Sequence, residues 1–171
     1  MTATPRKILI DTDPGIDDAM AIFYALASPE LAVIGLTTVF GNAHVEVCTT
    51  NALRLLDLAG RPDIPVAEGA ARPLAMPYRG PAAFVHGANG LAAPSRPPHP
   101  IAAAQFIVEQ VRAAPGEITL VPVGPLTNIA LALLLWPELP QHLAGMVIMG
   151  GAAFVPGNSS PAAEANIMKD P

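Results

Sequence analysis

The sequence predicts an α/β fold: an open, mostly parallel sheet with helices on both faces. Three observations predict it. Short apolar runs alternate with segments of helical spacing along most of the 171 residues. The runs are almost continuously apolar, as strands covered on both faces must be. Glycine, asparagine or aspartate closes several of them, at the sheet edge where such folds bind ligands.

Lys7–Ile10 (KILI) reads as a short buried strand ending at Asp11. A helix follows from about Asp17 to Ala27 and stops at Ser28-Pro29. Leu31–Phe40 is rich in β-branched residues and reads as a second buried strand, turned by Gly41-Asn42. Val45–Ala59 is predicted helical and ends at Gly60; Ile64–Glu68 is a short third strand. Between Gly69 and Pro100, proline and glycine replace periodicity. A loop that long inside a compact domain is usually functional or disordered. Ile101–Ala113 is the next helix, ended by Pro115-Gly116, and Ile118–Val123 the next strand. Leu126–Leu135 is a helix whose start, Thr127-Asn128, resembles a cap and is assigned no chemistry. Met146–Met149 is a last strand before Gly150-Gly151 and an irregular tail. The closing MKDP reads as the entrance to a further helix, with Asp170 as its cap and Pro171 in its first turn.

Composition bounds the function. At 51% hydrophobic residues, one sizeable core is available, so residues 1–171 are expected to form a single domain. A formal charge of -5 without a basic patch argues against a nucleic-acid partner. Cys48 is the only cysteine, which excludes an internal disulfide and fits a reducing compartment. The longest apolar run, Ile129 to Trp136, is far short of the ~20 residues of a membrane span. The N-terminus lacks the apolar core of a secretory signal. A cytoplasmic protein with no membrane partner is expected.

The stretch ILIDTDPGIDDAMAI carries Asp11, Asp13, Asp17 and Asp18 where the first strand hands over to the first helix. Helix-end capping accounts for Asp17 and Asp18. It does not satisfy Asp11 and Asp13 equally well. Four carboxylates at one strand end point to a bound hard cation with oxygen ligands, since no Cys or His lies nearby. An EF-hand loop is excluded, because its twelfth position is occupied by Ile22. Asp11-Thr12-Asp13 also matches the opening of the haloacid-dehalogenase phosphatases, but Gly15 departs from their pattern. The lysine such enzymes need downstream could only be Lys169.

A closer likeness extends over nearly the whole chain. DTDPGIDDAMAI, TVFGN (Thr38–Asn42), ITLVPVGPLTNIA (Ile118–Ala130), MVIMGGA (Met146–Ala152) and GNSSPAAEANI (Gly157–Ile167) follow one another in order. Together they resemble the inosine–uridine preferring nucleoside N-ribohydrolases, whose sheet has a Rossmann-like core. The resemblance implies Ca2+-dependent hydrolysis of the N-glycosidic bond of ribonucleosides. It implies Asp13, Asp18 and the Val123 carbonyl as calcium ligands, with Asp13 also the general base on water. Asp17, Asn42, Asn158, Glu164 and Asn166 would hold the sugar, Met149 would pack beside it, and His86 would face the base. Asp11 would support the site from behind.

Each residue also has a plainer reading. Asn42 and Asn158 follow glycines and could form turns, Glu164 and Asn166 could face solvent, Met149 could be core and His86 an ordinary loop residue. His44, His99 and His142 read as solvated or capping residues.

The likeness breaks at Ala165, where the family usually has an aromatic beside the sugar. Family members also continue for roughly as long again and supply an adjacent His-Asp pair, so the chain reads as incomplete at its C-terminus and, by itself, as a poor catalyst. A homo-oligomer is expected. The readings from other classes are a dehalogenase-type phosphatase and a non-catalytic ribose-binding or assembly module.

Overall fold

The computed structural model describes residues 4–78, 80 and 94–171. Strands β1 (Arg6–Thr12), β2 (Leu31–Thr38), β3 (Val66–Glu68), β4 (Ile118–Pro122) and β5 (Gly145–Met146) form one sheet in the order β3-β2-β1-β4-β5. Every pairing is parallel. The helices are α1 (Ile16–Ala27), α2 (Val45–Leu58), α3 (Ala103–Ala113), α4 (Thr127–Leu135) and the short α5 (Ala165–Lys169).

Side-chain alternation along the central strand divides the core in two. Ile8 and Ile10 of β1 pack with Ile22 of α1 and with Leu53 and Leu56 of α2. Leu9 points the other way, among Phe106 and Ile107 of α3 and Ile129 of α4. A register shift between β1 and β2 sets Leu9 opposite Gly35. There a Cβ would stand 2.9 Å from the Phe106 ring, so glycine lets α3 lie close on the sheet. The predicted covering of both faces is therefore what the chain forms.

Differences from the sequence reading lie at element ends. β1 extends through Asp11 to Thr12. β3 starts at Val66 rather than Ile64; Pro65 has no N–H and contributes only its carbonyl, to Leu36 N at 2.9 Å. Beyond β3, His99 N donates to Val66 O at 2.7 Å, so the chain entering α3 partly covers that edge. The predicted Met146–Met149 strand is registered only over Gly145–Met146. Val147 N and Met149 N still donate to Leu120 O and Pro122 O, both at 2.9 Å.

Asp170 terminates α5, and its carboxylate accepts from Thr127 Oγ1 (2.6 Å), Ala75 N (2.8 Å) and Leu74 N (2.9 Å). No helix among the described residues is long and apolar enough to cross a membrane.

Candidate active site

In a sheet of this order, consecutive connections run outward in opposite directions from β1 and β4, and the crevice beyond their C-terminal ends is where ligands bind. Asp11–Asp18 leaves β1 at that point and Val123-Gly124 leaves β4 there. Val123 N donates to Asp11 O at 2.8 Å, which ties the two exits together.

Asp13 and Asp18 face each other almost fully buried. Asn42, from the turn after β2, links them. Its backbone N donates to Asp13 Oδ2 at 2.7 Å, and its Nδ2 donates to Asp13 O at 3.0 Å and Asp18 Oδ2 at 3.3 Å. Asp18 also accepts from Thr12 Oγ1 at 2.6 Å and Gly15 N at 3.0 Å. Two glycines press on the Asp13 carboxylate: a Cβ on Gly41 would collide with Oδ2, and one on Gly124 would stand 2.8 Å from Oδ1. Burial, then the Asp18 charge, pushes the Asp13 carboxyl up to about 7, against the pull of Lys169 and Asn42. Burial also raises Asp18, opposed by its bonds to Thr12 and Gly15. The Cys48 thiol is pushed up to about 12 by burial and then by the Asp13 charge, which keeps it a thiol.

Asp11 lies behind this pair with 1% exposure. Its Oδ1 accepts from Thr37 Oγ1 at 2.6 Å and Asn128 Nδ2 at 2.8 Å, while Oδ2 is buried without a partner. Burial pushes this carboxyl up to about 7, against those two bonds. The arrangement disfavours the phosphatase reading, which needs Asp11 open to attack a phosphoryl group.

Asn128 is a residue that sequence reasoning misplaced. It makes no helix cap. It is fully buried, donates to Asp11 Oδ1 and to Thr38 O (2.8 Å), and accepts from Ala70 N (2.9 Å). One amide thus joins the ends of β1 and β2, the chain after β3, and α4. Thr127 likewise bonds Asp170 rather than its own helix.

The other candidates come from the tail. Asn166 is buried, and its Nδ2 reaches Val123 O at 2.8 Å and Met149 O at 3.1 Å. Glu164 caps α5: Oε1 accepts from Asn166 N at 2.9 Å, and Oε2 from Ile167 N at 3.2 Å and Gly151 N at 3.1 Å. Asn158 is exposed and accepts from Ala165 N at 2.9 Å. Asp17 is exposed in the first turn of α1, and Met149 is 43% exposed. His86 lies outside the described residues. Lys169, which the sequence reading weighed only for the phosphatase pattern, places Nζ 3.4 Å from Asp13 Oδ2. Its spacing of three from Asn166 on one short helix was the available signal.

The donor set fits a hard cation in part. Asp13, Asp18 and the Val123 carbonyl offer oxygen only, and the two raised carboxyls would be relieved by positive charge. Among the described residues no three His, Cys, Asp or Glu side chains converge. Asp13, Asp18 and Val123 carry two, two and one such oxygens, short of the 6–8 that calcium takes.

Fold and site together define an α/β protein with a buried acidic pocket at the switch point of a parallel sheet. Residues 8–171 match the model of the inosine-uridine preferring nucleoside hydrolase family, and the chain belongs to that family. It is 54% identical to a probable uridine nucleosidase 2 of Arabidopsis thaliana, over 97% of this chain and 53% of that protein. It is 47% identical to a pyrimidine-specific ribonucleoside hydrolase RihA of Shewanella sp. (strain ANA-3), with the same coverage. Among solved structures it resembles the plant nucleoside hydrolase PpNRh1, with a TM-score of 0.92, 49% identity and coverage of 98% of this chain and 55% of that one. A purine-preferring ribonucleoside hydrolase from Gardnerella vaginalis also has a TM-score of 0.92, at 37% identity, over 97% of this chain and 55% of that one. The chain thus spans about half the length of the curated relatives it matches.

Proposed function

We propose that this chain carries the sugar- and cation-holding part of a ribonucleoside N-ribohydrolase site that uses Ca2+. The observation that carries the reading is the buried Asp13–Asp18 pair, bridged by Asn42, at the switch point of the sheet. Such a pair is costly to bury and is favoured where positive charge must be held.

Cleavage of an N-glycosidic bond breaks C1′–N and leaves the electron pair on the base, through an oxocarbenium-like state. Asp13 accepts a proton from the water that adds to C1′. Positive charge held beside Asp13 would oppose the upward push of burial and of Asp18 and keep the carboxylate ionised for that task. Asp13, Asp18 and the Val123 carbonyl would hold the cation. When bound, Ca2+ would supply charge that acidifies water and docks sugar hydroxyls. Asp17, Asn42, Asn158, Glu164 and Asn166 orient the ribose and Met149 packs against it; the contact with the base that the resemblance implies for His86 falls outside the described residues. Asp11, braced by Thr37 and Asn128, keeps the end of β1 in place.

The relatives named for uridine and pyrimidine substrates make uridine the first substrate to try. The same reading places the protein in the cytoplasm and in a homo-oligomer, for which exposed Ile16, Met20 and Tyr24 of α1 offer apolar surface.

The test is calorimetry of this chain with Ca2+ and ribose, followed by a reducing-sugar assay on uridine and inosine. Ribose uptake should require Ca2+ and vanish in Asp13→Ala. Any hydrolysis should vanish with it. Ribose uptake that ignores both Ca2+ and Asp13 would overturn the reading.

A further inference from the structure

Lys169 is the one basic side chain of α5, and it meets a carboxylate 156 positions away in sequence. Its mount is fixed on both sides. Three residues earlier, Asn166 is held by Val123 O and Met149 O. One residue later, Asp170 is held by Thr127, Leu74 and Ala75. The lysine side chain is 22% exposed against 2% for Asp13, so this pair is much drier than a surface ion pair. No other ion pair to Asp13 or Asp18 occurs among the described residues.

We propose that Lys169 is a positioning residue of the cation site: a built-in counter-charge on Asp13 that opposes a divalent ion on the same carboxylate and so sets how tightly that ion binds. The inference rests on the cation reading above and adds a residue to it. Its physical basis is Coulombic. An ammonium within ion-pair distance of Asp13 Oδ2 is a like charge to any cation held by that carboxylate. It also partly neutralises the carboxylate, which lowers the attraction the ion feels. Both effects weaken ion binding, and the attraction between Lys169 and Asp13 stabilises the chain without the ion.

Two measurements on the full chain test this. Calcium alone is titrated calorimetrically into the parent, Lys169→Met and Lys169→Arg. Lys169→Met keeps the apolar stem and should bind Ca2+ about tenfold tighter, whereas Lys169→Arg should stay near the parent. Thermal melts in EDTA then compare Lys169→Met in the parent and in an Asp13→Asn background. The substitution should lower Tm by about 3 °C in the parent and have little effect beside Asn. Unchanged or weaker Ca2+ binding by Lys169→Met overturns the proposal and leaves the cation reading standing. Absence of the Asp13-dependent Tm loss also overturns it. If neither parent nor Lys169→Met takes up Ca2+ while the Tm coupling persists, the cation reading itself fails, and Lys169 is only a structural partner of Asp13.

Discussion

The acidic pocket at the end of β1 and the tail that closes over it, residues 149–170, are both polar, yet they are assembled in different ways. In the pocket, apart from the local bonds of Asp18 to Thr12 and Gly15, the bonds join distant elements: Thr37 to Asp11 across 26 positions, Asn42 to Asp13 across 29, Asn128 to Asp11 across 117. In the tail most bonds are local. Asn158 reaches Ala165 seven positions on, and Glu164 reaches residues two and three positions on. Long-range anchorage of the tail falls on a few side chains, chiefly Asn166, Lys169 and Asp170. The pocket is therefore a property of the assembled sheet. The tail is a turn-and-cap unit docked onto it, and it belongs at the low end of local stability.

Removing the most connected pocket residue gives the largest expected effect. Asn128→Ala takes a donor from Asp11 Oδ1, which keeps only Thr37, a donor from Thr38 O and the acceptor of Ala70 N, three bonds made by one amide. At ~1 kcal/mol or more for each deprived buried group, the loss should be about 3–4 kcal/mol. Urea unfolding measures it. A loss below about 1 kcal/mol would mean that the pocket does not depend on this cross-brace and would erase the contrast with the tail.

The anchor of the tail comes next. Asp170→Ala removes the acceptor for Thr127 Oγ1, which is buried, and for Leu74 N and Ala75 N, on exposed residues, and should cost about 2 kcal/mol. The pH dependence has a definite sign. Burial pushes the Asp170 carboxyl up, but the bonds from Thr127, Leu74 and Ala75 outweigh it and hold it below its ordinary 3.8. A carboxyl depressed in the folded state stabilises fully above its unfolded value and loses that contribution as pH falls through the folded one. The gap between parent and Asp170→Asn should thus be constant from neutral pH down to about 4 and shrink below it. A gap that widens on acidification would reverse the assignment.

The sheet was legible because strand burial writes itself as local composition: KILI, LAVIGLTT and ITLVP are apolar in sequence and paired in space. Asp13 and Asp18 were legible because four acids in eight residues need an explanation at any location. Asn128 was not, since an asparagine at a helix start looks like a cap whether it bonds its own helix or a strand 90 positions away. Lys169 was hidden for the same reason. Its spacing of three from Asn166 places it near that residue on a short helix but does not say which carboxylate it will meet. Asp170 before Pro171 reads as a helix entrance, and nothing in that reading announces its bonds to the chain at Leu74 and Ala75.

The smallest effect sharpens the comparison from the tail's side. Glu164→Ala removes a cap from a helix of five residues and one bond to Gly151 N, in surroundings open to water. Water can replace these acceptors, so the cost should be about 1 kcal/mol or less. Amide exchange should accelerate for residues 151–167 and stay unchanged in β1 and β2, because none of the bonds around Asp11 involves Glu164. If exchange in β1 accelerated as well, the tail would be part of the sheet's cooperative unit. The ribose-orienting role proposed for Glu164 would then have to be separated from a global loss of stability. If exchange stays local, loss of ribose affinity in this variant can be assigned to the carboxylate itself, which after three backbone bonds still has room to accept from a sugar hydroxyl.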